Sequence, residues 1–127
     1  MQILLVEDNP EYLDVMRETL CSCGYTVHTA IDGHQGCEVL NTTDIDLIIS
    51  DIRMPRFDGL KLHAFARETD RYRSTSFIFL TGLREYYADK IDLHPHLDYV
   101  VDKTTPLREI LRLIDRIFFG TLQNAWV

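Results

Sequence analysis

ILLVEDNP at residues 3–10 decides the fold of this 127-residue chain. Its first four residues form a short, unbroken aliphatic run, which is typical of a strand buried on both faces of a parallel sheet. Asn9 and Pro10 then form a good helix start, because asparagine caps helix N-termini and proline favours the first helical position. A buried strand that leads directly into a helix predicts an α/β fold. The acidic pair Glu7 and Asp8 lies at the junction, where such folds bind ligands.

The same alternation of apolar runs and amphipathic stretches recurs along the whole chain. We predict strands at 2–6, 26–30, 46–50, 77–80 and 98–101, and helices at 9–23, 33–40, 60–68, 84–91 and from 105 onward. This order predicts an α/β domain of (βα)5 type, a doubly wound fold on a five-stranded parallel sheet. We expect the domain to occupy residues 1–119, and residues 120–127 to form a C-terminal tail or the start of a linker.

Composition excludes several classes of protein. Apolar residues make up 46% of the chain and the net charge is −7. No basic stripe dominates a helix, so direct nucleic-acid binding by this domain is not expected. Apolar runs stay below the roughly 20 residues that cross a bilayer, so we expect no membrane association. Three cysteines are an odd number without metal-site spacing, and with no signal peptide they indicate reduced thiols in a cytoplasmic protein.

A third carboxylate follows another apolar run, where Asp51 ends LIIS at residues 47–50. If these two strands are parallel neighbours, Glu7, Asp8 and Asp51 converge at one edge of the sheet. Three clustered carboxylates repel one another and would hold a proton at neutral pH unless a cation neutralises them. Oxygen-rich clusters suit Mg²⁺, which also borrows ligands from phosphate. The sequence therefore predicts phosphoryl chemistry on a carboxylate.

Two further strand ends complete the pattern with Thr81 and Lys103. The separations are 43 residues from Asp8 to Asp51, 30 from Asp51 to Thr81 and 22 from Thr81 to Lys103. Over essentially its whole length the chain resembles the receiver domain of bacterial two-component response regulators, which has a flavodoxin-like fold. The resemblance rests on LLVEDN at 4–9, DIRMPRFDG at 51–59, LTG at 80–82 and the lysine after the fifth strand.

The resemblance implies a phosphoacceptor site centred on Asp51, which would attack a phosphoryl group as a nucleophile. Asp8 and Asp51 would coordinate Mg²⁺ directly, Glu7 would do so through water, and the backbone carbonyl of Arg53 would complete the protein ligands. Mg²⁺ and Lys103 would both favour the ionised form of the nucleophile.

Thr81 and Lys103 would stabilise the transferred group by a hydroxyl hydrogen bond and a point charge. The implied donor is a phosphohistidine on a sensor histidine kinase or a phosphotransfer protein. Beyond this self-catalysed transfer and dephosphorylation, no enzyme activity is expected. The implied response is a change in the surface of the helix at 84–91, the fifth strand and the last helix. A homodimer or a C-terminal effector domain could dock there through Arg84, Lys90, Arg108, Arg112 and Arg116.

Two departures from the family pattern lie beside the lysine. Thr104 occupies the position where the family usually has a proline after a cis bond. A non-proline cis bond costs about 3–4 kcal/mol, so we predict a trans Lys103–Thr104 bond. Asp102 is also unusual, and it either competes for the ammonium or faces solvent.

A third departure concerns the aromatic switch residue, which the family usually carries three places before the lysine. Val100 occupies that position here, and Tyr99 precedes it. Neighbours on a strand point to opposite faces, so Tyr99 cannot simply substitute. We therefore predict that signals pass through Thr81 and the following loop, without a tyrosine swing.

Three alternative functions remain open from the residues. A haloacid-dehalogenase-like phosphatase needs a second aspartate two residues after its nucleophile, where this chain has Arg53. A flavodoxin-like cofactor binder needs a first loop that cradles phosphate, whereas Glu7 and Asp8 would repel it. A degenerate receiver that acts only as a binding or dimerisation module is the third alternative.

Overall fold

A computed structural model describes residues 1–54, 57–82 and 91–124, with side chains described as far as Gly120. These residues form five strands, four α-helices and one short 3₁₀ turn. The strands are β1 Gln2–Val6, β2 Thr26–Ala30, β3 Leu47–Asp51, β4 Ser76–Thr81 and β5 Asp98–Asp102. The helices are α1 Pro10–Ser22, α2 Gly33–Thr42, α3 Gly59–Glu68 and α4 Leu107–Asn124, and the turn is Asp70–Tyr72.

All five strands pair in parallel in the order β2-β1-β3-β4-β5. The chain therefore winds in both directions from β1, and the predicted five-stranded doubly wound α/β fold is confirmed. Because β1 and β3 are direct neighbours, their carboxyl ends lie side by side, as the sequence argument required. The predicted helix at 84–91 falls almost entirely outside the described residues.

Two apolar layers hold the helices against the sheet. On one face α1 and α4 pack through Met16, Leu20, Ile110 and Ile114, all at most 1% exposed. On the other face α2 and α3 pack through residues that include Leu40, Leu62 and Ala66. Burial on both faces explains the unbroken aliphatic runs of the central strands.

The loop after β3 is held tightly against the site edge of the sheet. Asp58 caps α3 by accepting a hydrogen bond from the Lys61 backbone N–H at 3.0 Å. Gly59 then begins the helix so close to β3 that a Cβ on it would lie 2.1 Å from the Asp51 carbonyl oxygen. A side chain does not fit at this position, which accounts for the glycine in the FDG sequence.

The C-terminal helix runs past the predicted domain end at residue 119. Its backbone leaves helical values at Phe119, with φ −130° and ψ 19°, and a last turn reaches Asn124. Within the described parts of the chain, no helix combines the length and apolarity needed to cross a membrane.

Candidate functional site

The carboxyl ends of four neighbouring strands form one edge of the sheet. Strand register pairs Val6 with Ser50, Asp51 with Leu80 and Thr81 with Asp102. The residues that follow these ends therefore lie in a row along one edge. The predicted site residues at this edge are Glu7, Asp8, Asp51, Thr81 and Lys103.

Three carboxylates meet at this edge. Glu7, Asp8 and Asp51 each place one oxygen within 4.8 Å of the others. Glu7 is fully buried, Asp51 is 7% exposed and Asp8 is open to solvent. An open polar cleft beside them is lined by residues 8–11 and Lys103. The cluster thus has a buried floor and one solvent-facing side.

Lys103 provides the positive charge of the site. Its Nζ lies 2.8 Å from Asp51 Oδ2 and 2.6 Å from Glu7 Oε1. The backbone N–H of Lys103 donates to the Thr81 carbonyl at 3.0 Å, which ties β5 to β4 at this point. Burial lowers the pKa of the ammonium, but its bonds to Asp51 and Glu7 outweigh that effect and raise the pKa. The lysine is therefore charged at neutral pH.

Glu7 is the carboxylate of the cluster whose pKa burial raises most clearly. Burial raises its pKa to about 7, against the lowering effects of Lys103 and of a 3.0 Å hydrogen bond from the Asn9 N–H. The neighbouring charge of Asp51 raises the pKa further. A cation bound beside these oxygens would favour the ionised form.

The donor set fits a hard divalent cation. The three carboxylates supply only oxygen, which is what Mg²⁺ prefers. Glu7 Oε1 is buried and lies 2.6 Å from the Lys103 ammonium. Arg53 is exposed two residues after Asp51, in the loop beside the cluster. The chemistry of these residues is consistent with binding of Mg²⁺ or a similar ion.

The backbone of Asp51 is fixed from several sides. Its carbonyl accepts a 2.8 Å hydrogen bond from the Ser50 hydroxyl, and Gly59 packs against the same oxygen. The next residue, Ile52, donates its N–H to the Leu80 carbonyl at 3.2 Å. The Asp51 carboxylate therefore projects from a rigid backbone.

Several predictions from the sequence concern the residues near Lys103. No peptide bond among the described residues is cis, so Lys103–Thr104 is trans as predicted. Asp102 Oδ1 accepts 2.8 Å bonds from both the N–H and the hydroxyl of Thr104, which forms the turn after β5. Tyr99 and Val100 pack in opposite apolar layers, as strand alternation predicted. The route of any signal through Thr81 stays a prediction.

The predicted interaction surface is partly described. β5 and α4 line a cleft that includes Asp102, Glu109, Arg112 and Arg116. Arg108 is also exposed on α4. Arg84, Lys90 and most of the helix predicted around them lie outside the described ranges.

Sequence reasoning missed Tyr12, whose ring centroid lies 5.1 Å from Lys103 Nζ. Helical spacing could have indicated it, because Tyr12 lies four and eight residues before the buried Met16 and Leu20.

Sequence reasoning also missed a buried cluster of charged residues at the opposite end of β5. There Asp98 contacts Arg67 at 2.6 Å and His63 at 3.0 Å.

The comparisons with known proteins all indicate the same family. A family model described as "Response regulator receiver domain" matches residues 3–115. The transcriptional regulatory protein DltR of Streptococcus agalactiae is 35% identical over 129 residues, which cover the whole chain and 54% of that relative. The chain spans about half, or less than half, of the length of the curated relatives that it matches.

Solved structures agree with the sequence comparison. The response regulator TrrA of Thermotoga maritima, in complex with Mg²⁺-BeF, is 28% identical with a TM-score of 0.77 over 91% of this chain and 97% of that one. The receiver domain of a Pseudomonas aeruginosa sensor histidine kinase is 30% identical with a TM-score of 0.81, over 91% and 94%. That structure has a magnesium ion coordinated in its active-site cleft.

Proposed function

The chain belongs to the response regulator receiver domains of two-component signal transduction, and from this premise we propose that Asp51 is its phosphoacceptor. The observation that carries the proposal is the contact of a nearly buried Asp51 carboxylate with the Lys103 ammonium at 2.8 Å, beside two further carboxylates. Phosphoryl transfer needs mainly positioning and charge neutralisation, and this arrangement supports both.

The transfer begins at an oxygen of Asp51, which attacks the phosphorus of a phosphohistidine. A bond forms between that oxygen and phosphorus while the bond from phosphorus to the histidine nitrogen breaks. The donor histidine, protonated on its other ring nitrogen, leaves as neutral imidazole, and Asp51 becomes an acyl phosphate. Lys103 then shifts its contact from the carboxylate toward an added oxygen, and the Thr81 hydroxyl donates to another. Hydrolysis of the acyl phosphate then releases phosphate and returns the resting state, and we propose no enzyme activity beyond this self-catalysed transfer and dephosphorylation.

Mg²⁺ is the proposed cofactor. Asp8, Asp51 and the carbonyl of Arg53 would hold it directly, and Glu7 would hold it through water. When bound, the ion offsets the negative charge that gathers on the phosphoryl oxygens. The Mg²⁺ sites of related structures and the cluster of three carboxylates support this assignment.

The proposed partners are a sensor histidine kinase or phosphotransfer protein and, on the output side, a second copy or an effector domain. The acyl phosphate carries about −1.5 to −2 charges in place of the single charge of the Asp51 carboxylate, and this change biases two conformations of the domain. The cleft between β5 and α4 supports an output role, because acidic and basic groups both line it. We place the protein in the cytoplasm and the receiver unit at residues 1–119. Retention of every reacting side chain argues against a degenerate receiver.

Intact-mass measurement after incubation with a small phosphodonor and Mg²⁺ tests the phosphoacceptor. We expect one added phosphoryl group on the wild-type chain and none on Asp51→Asn. Asp58→Asn is the matched control, since asparagine preserves the helix cap at that position. Catalytic release of phosphate from a phosphate ester would instead support the phosphatase alternative. Unchanged phosphorylation of Asp51→Asn would overturn the proposal.

A further inference from the structure

Tyr12 is held in a fixed position at the start of α1. Its backbone N–H donates to the Asn9 side chain at 3.2 Å, so the helix cap fixes the backbone of this residue. The side chain packs against the apolar layer that contains Met16 and Leu20. The aromatic ring therefore points from the core toward the site edge of the sheet.

The ring is the third neighbour of the Lys103 ammonium, beside Asp51 and Glu7. Its centroid lies 5.1 Å from Nζ, within the roughly 6 Å at which a cation is attracted to a ring face. The Lys103 side chain is only 25% exposed, so water competes weakly with this attraction. Two carboxylates and one ring thus surround the ammonium.

The hydroxyl of Tyr12 has no corresponding role in the resting site. It is buried and finds no hydrogen-bond partner among the residues that the structure describes. A buried donor without an acceptor does not stabilise the folded state. The contact with Lys103 therefore depends on the ring.

We infer that Tyr12 is a positioning residue for phosphoryl transfer, because its ring holds the Lys103 ammonium over Asp51. This inference rests on the proposed function of Asp51. A lysine head group moves on a flexible four-carbon stem, and the cleft beside it is open to solvent. Without the ring, the ammonium spends part of its time in that cleft and away from the incoming oxygens.

Three variants of Tyr12 separate the ring from the hydroxyl, and a fourth variant is a control. Tyr12→Phe keeps the ring, while Tyr12→Leu and Tyr12→Met remove it and keep apolar volume. Tyr25→Leu is the matched control, since Tyr25 packs in the same apolar layer but bonds Asp115 and contacts Phe118. Two ring-free variants ensure that one poorly folded protein does not leave the question open.

The first readout is the NMR signal of the Lys103 methylene next to Nζ, in the metal-free and unphosphorylated protein. We expect an upfield ring-current shift in wild type, Tyr12→Phe and Tyr25→Leu, and its loss in both ring-free variants. The second readout is the phosphorylation rate with a small phosphodonor and Mg²⁺. We expect about a fivefold lower rate without the ring, and the wild-type rate in Tyr12→Phe.

Two results would overturn the inference. One is an unchanged Lys103 signal and rate in the ring-free variants. The other is an equal loss in Tyr12→Phe, which would assign the effect to the hydroxyl. If wild type takes up no phosphoryl group, the proposed function fails, whereas the metal-free spectra still show whether the ring holds the ammonium.

Discussion

Substitution of Gly59 by alanine tests how the fold positions the site. A Cβ on this residue would lie 2.1 Å from the Asp51 carbonyl oxygen and 3.1 Å from the Ile52 Cα. Both are backbone atoms that neighbouring strands and the Ser50 hydroxyl hold in place. No flexible side chain can move aside, so either α3 or the end of β3 must shift.

The size of that shift sets the expected effect of Gly59→Ala. Relief of the contact requires a backbone movement of roughly 1 Å, and overpacking of this kind costs about 1–3 kcal/mol. We expect the free energy of unfolding to fall by about 2 kcal/mol. A 1 Å misplacement of a reacting group can cost on the order of 100-fold in rate, so phosphorylation of Asp51 should slow by up to that factor.

Urea unfolding and the rate of phosphorylation by a small phosphodonor measure the two effects. Gly120→Ala is the control, because a Cβ at that position meets no described heavy atom within 4 Å beyond its chain neighbours and the backbone of its own helix. It should leave the phosphorylation rate unchanged and raise the free energy of unfolding by up to about 1 kcal/mol. Wild-type stability and rate in Gly59→Ala would refute the argument that this close approach fixes the Asp51 backbone.

Two further predictions concern protonation. Since burial raises the pKa of Glu7 to about 7, Mg²⁺ competes with a proton, and calorimetry should show affinity that increases from about pH 6 to pH 8. Glu7→Gln should bind Mg²⁺ more weakly and without this pH dependence; an unchanged profile would exclude Glu7 as the titrating group. Asp98 is buried, yet its bonds to His63, the His94 N–H and Arg67 lower its pKa to about 2. A lowered carboxyl pKa stabilises the fold above its unfolded value, so wild type should lose roughly 2 kcal/mol between about pH 4 and pH 2. Asp98→Asn should lack that loss. At pH 7 the variant should be about 3 kcal/mol less stable than wild type, because the Arg67 charge loses its carboxylate partner. Urea unfolding that shows the same acid sensitivity in Asp98→Asn as in wild type would contradict this prediction.

Local sequence patterns predicted the strands because their apolar runs are buried on both faces. β1 and β2 begin and end where predicted. β3 was predicted as the 46–50 run ending at Asp51, and it runs Leu47–Asp51. Asp46 lies just before the strand, where its side chain accepts the Gln2 N–H at 2.7 Å. The prediction also ended β4 one residue early, at Leu80, whereas β4 continues through Thr81 to pair with Asp102.

Strand order brought the site residues together, because β1, β3, β4 and β5 are successive parallel neighbours in the sheet. Other features needed three-dimensional contacts. A raised pKa within the carboxylate cluster could be predicted, but only the burial of Glu7 shows which carboxyl group it affects. The ring of Tyr12 beside Lys103 joins residues that are 91 positions apart, and the pairing of Arg67 with Asp98 joins residues 31 apart. No local pattern of apolar and polar residues specifies such contacts.

Location of the phosphoryl group within the chain tests the central claim most directly. Borohydride reduces an acyl phosphate and leaves a homoserine in place of the modified aspartate, which peptide mass spectrometry can locate. After treatment with a small phosphodonor and Mg²⁺, we predict homoserine at position 51 and unmodified aspartate at position 8. Homoserine at another position, or none in protein that carries a phosphoryl group, would contradict the assignment of Asp51 as the phosphoacceptor.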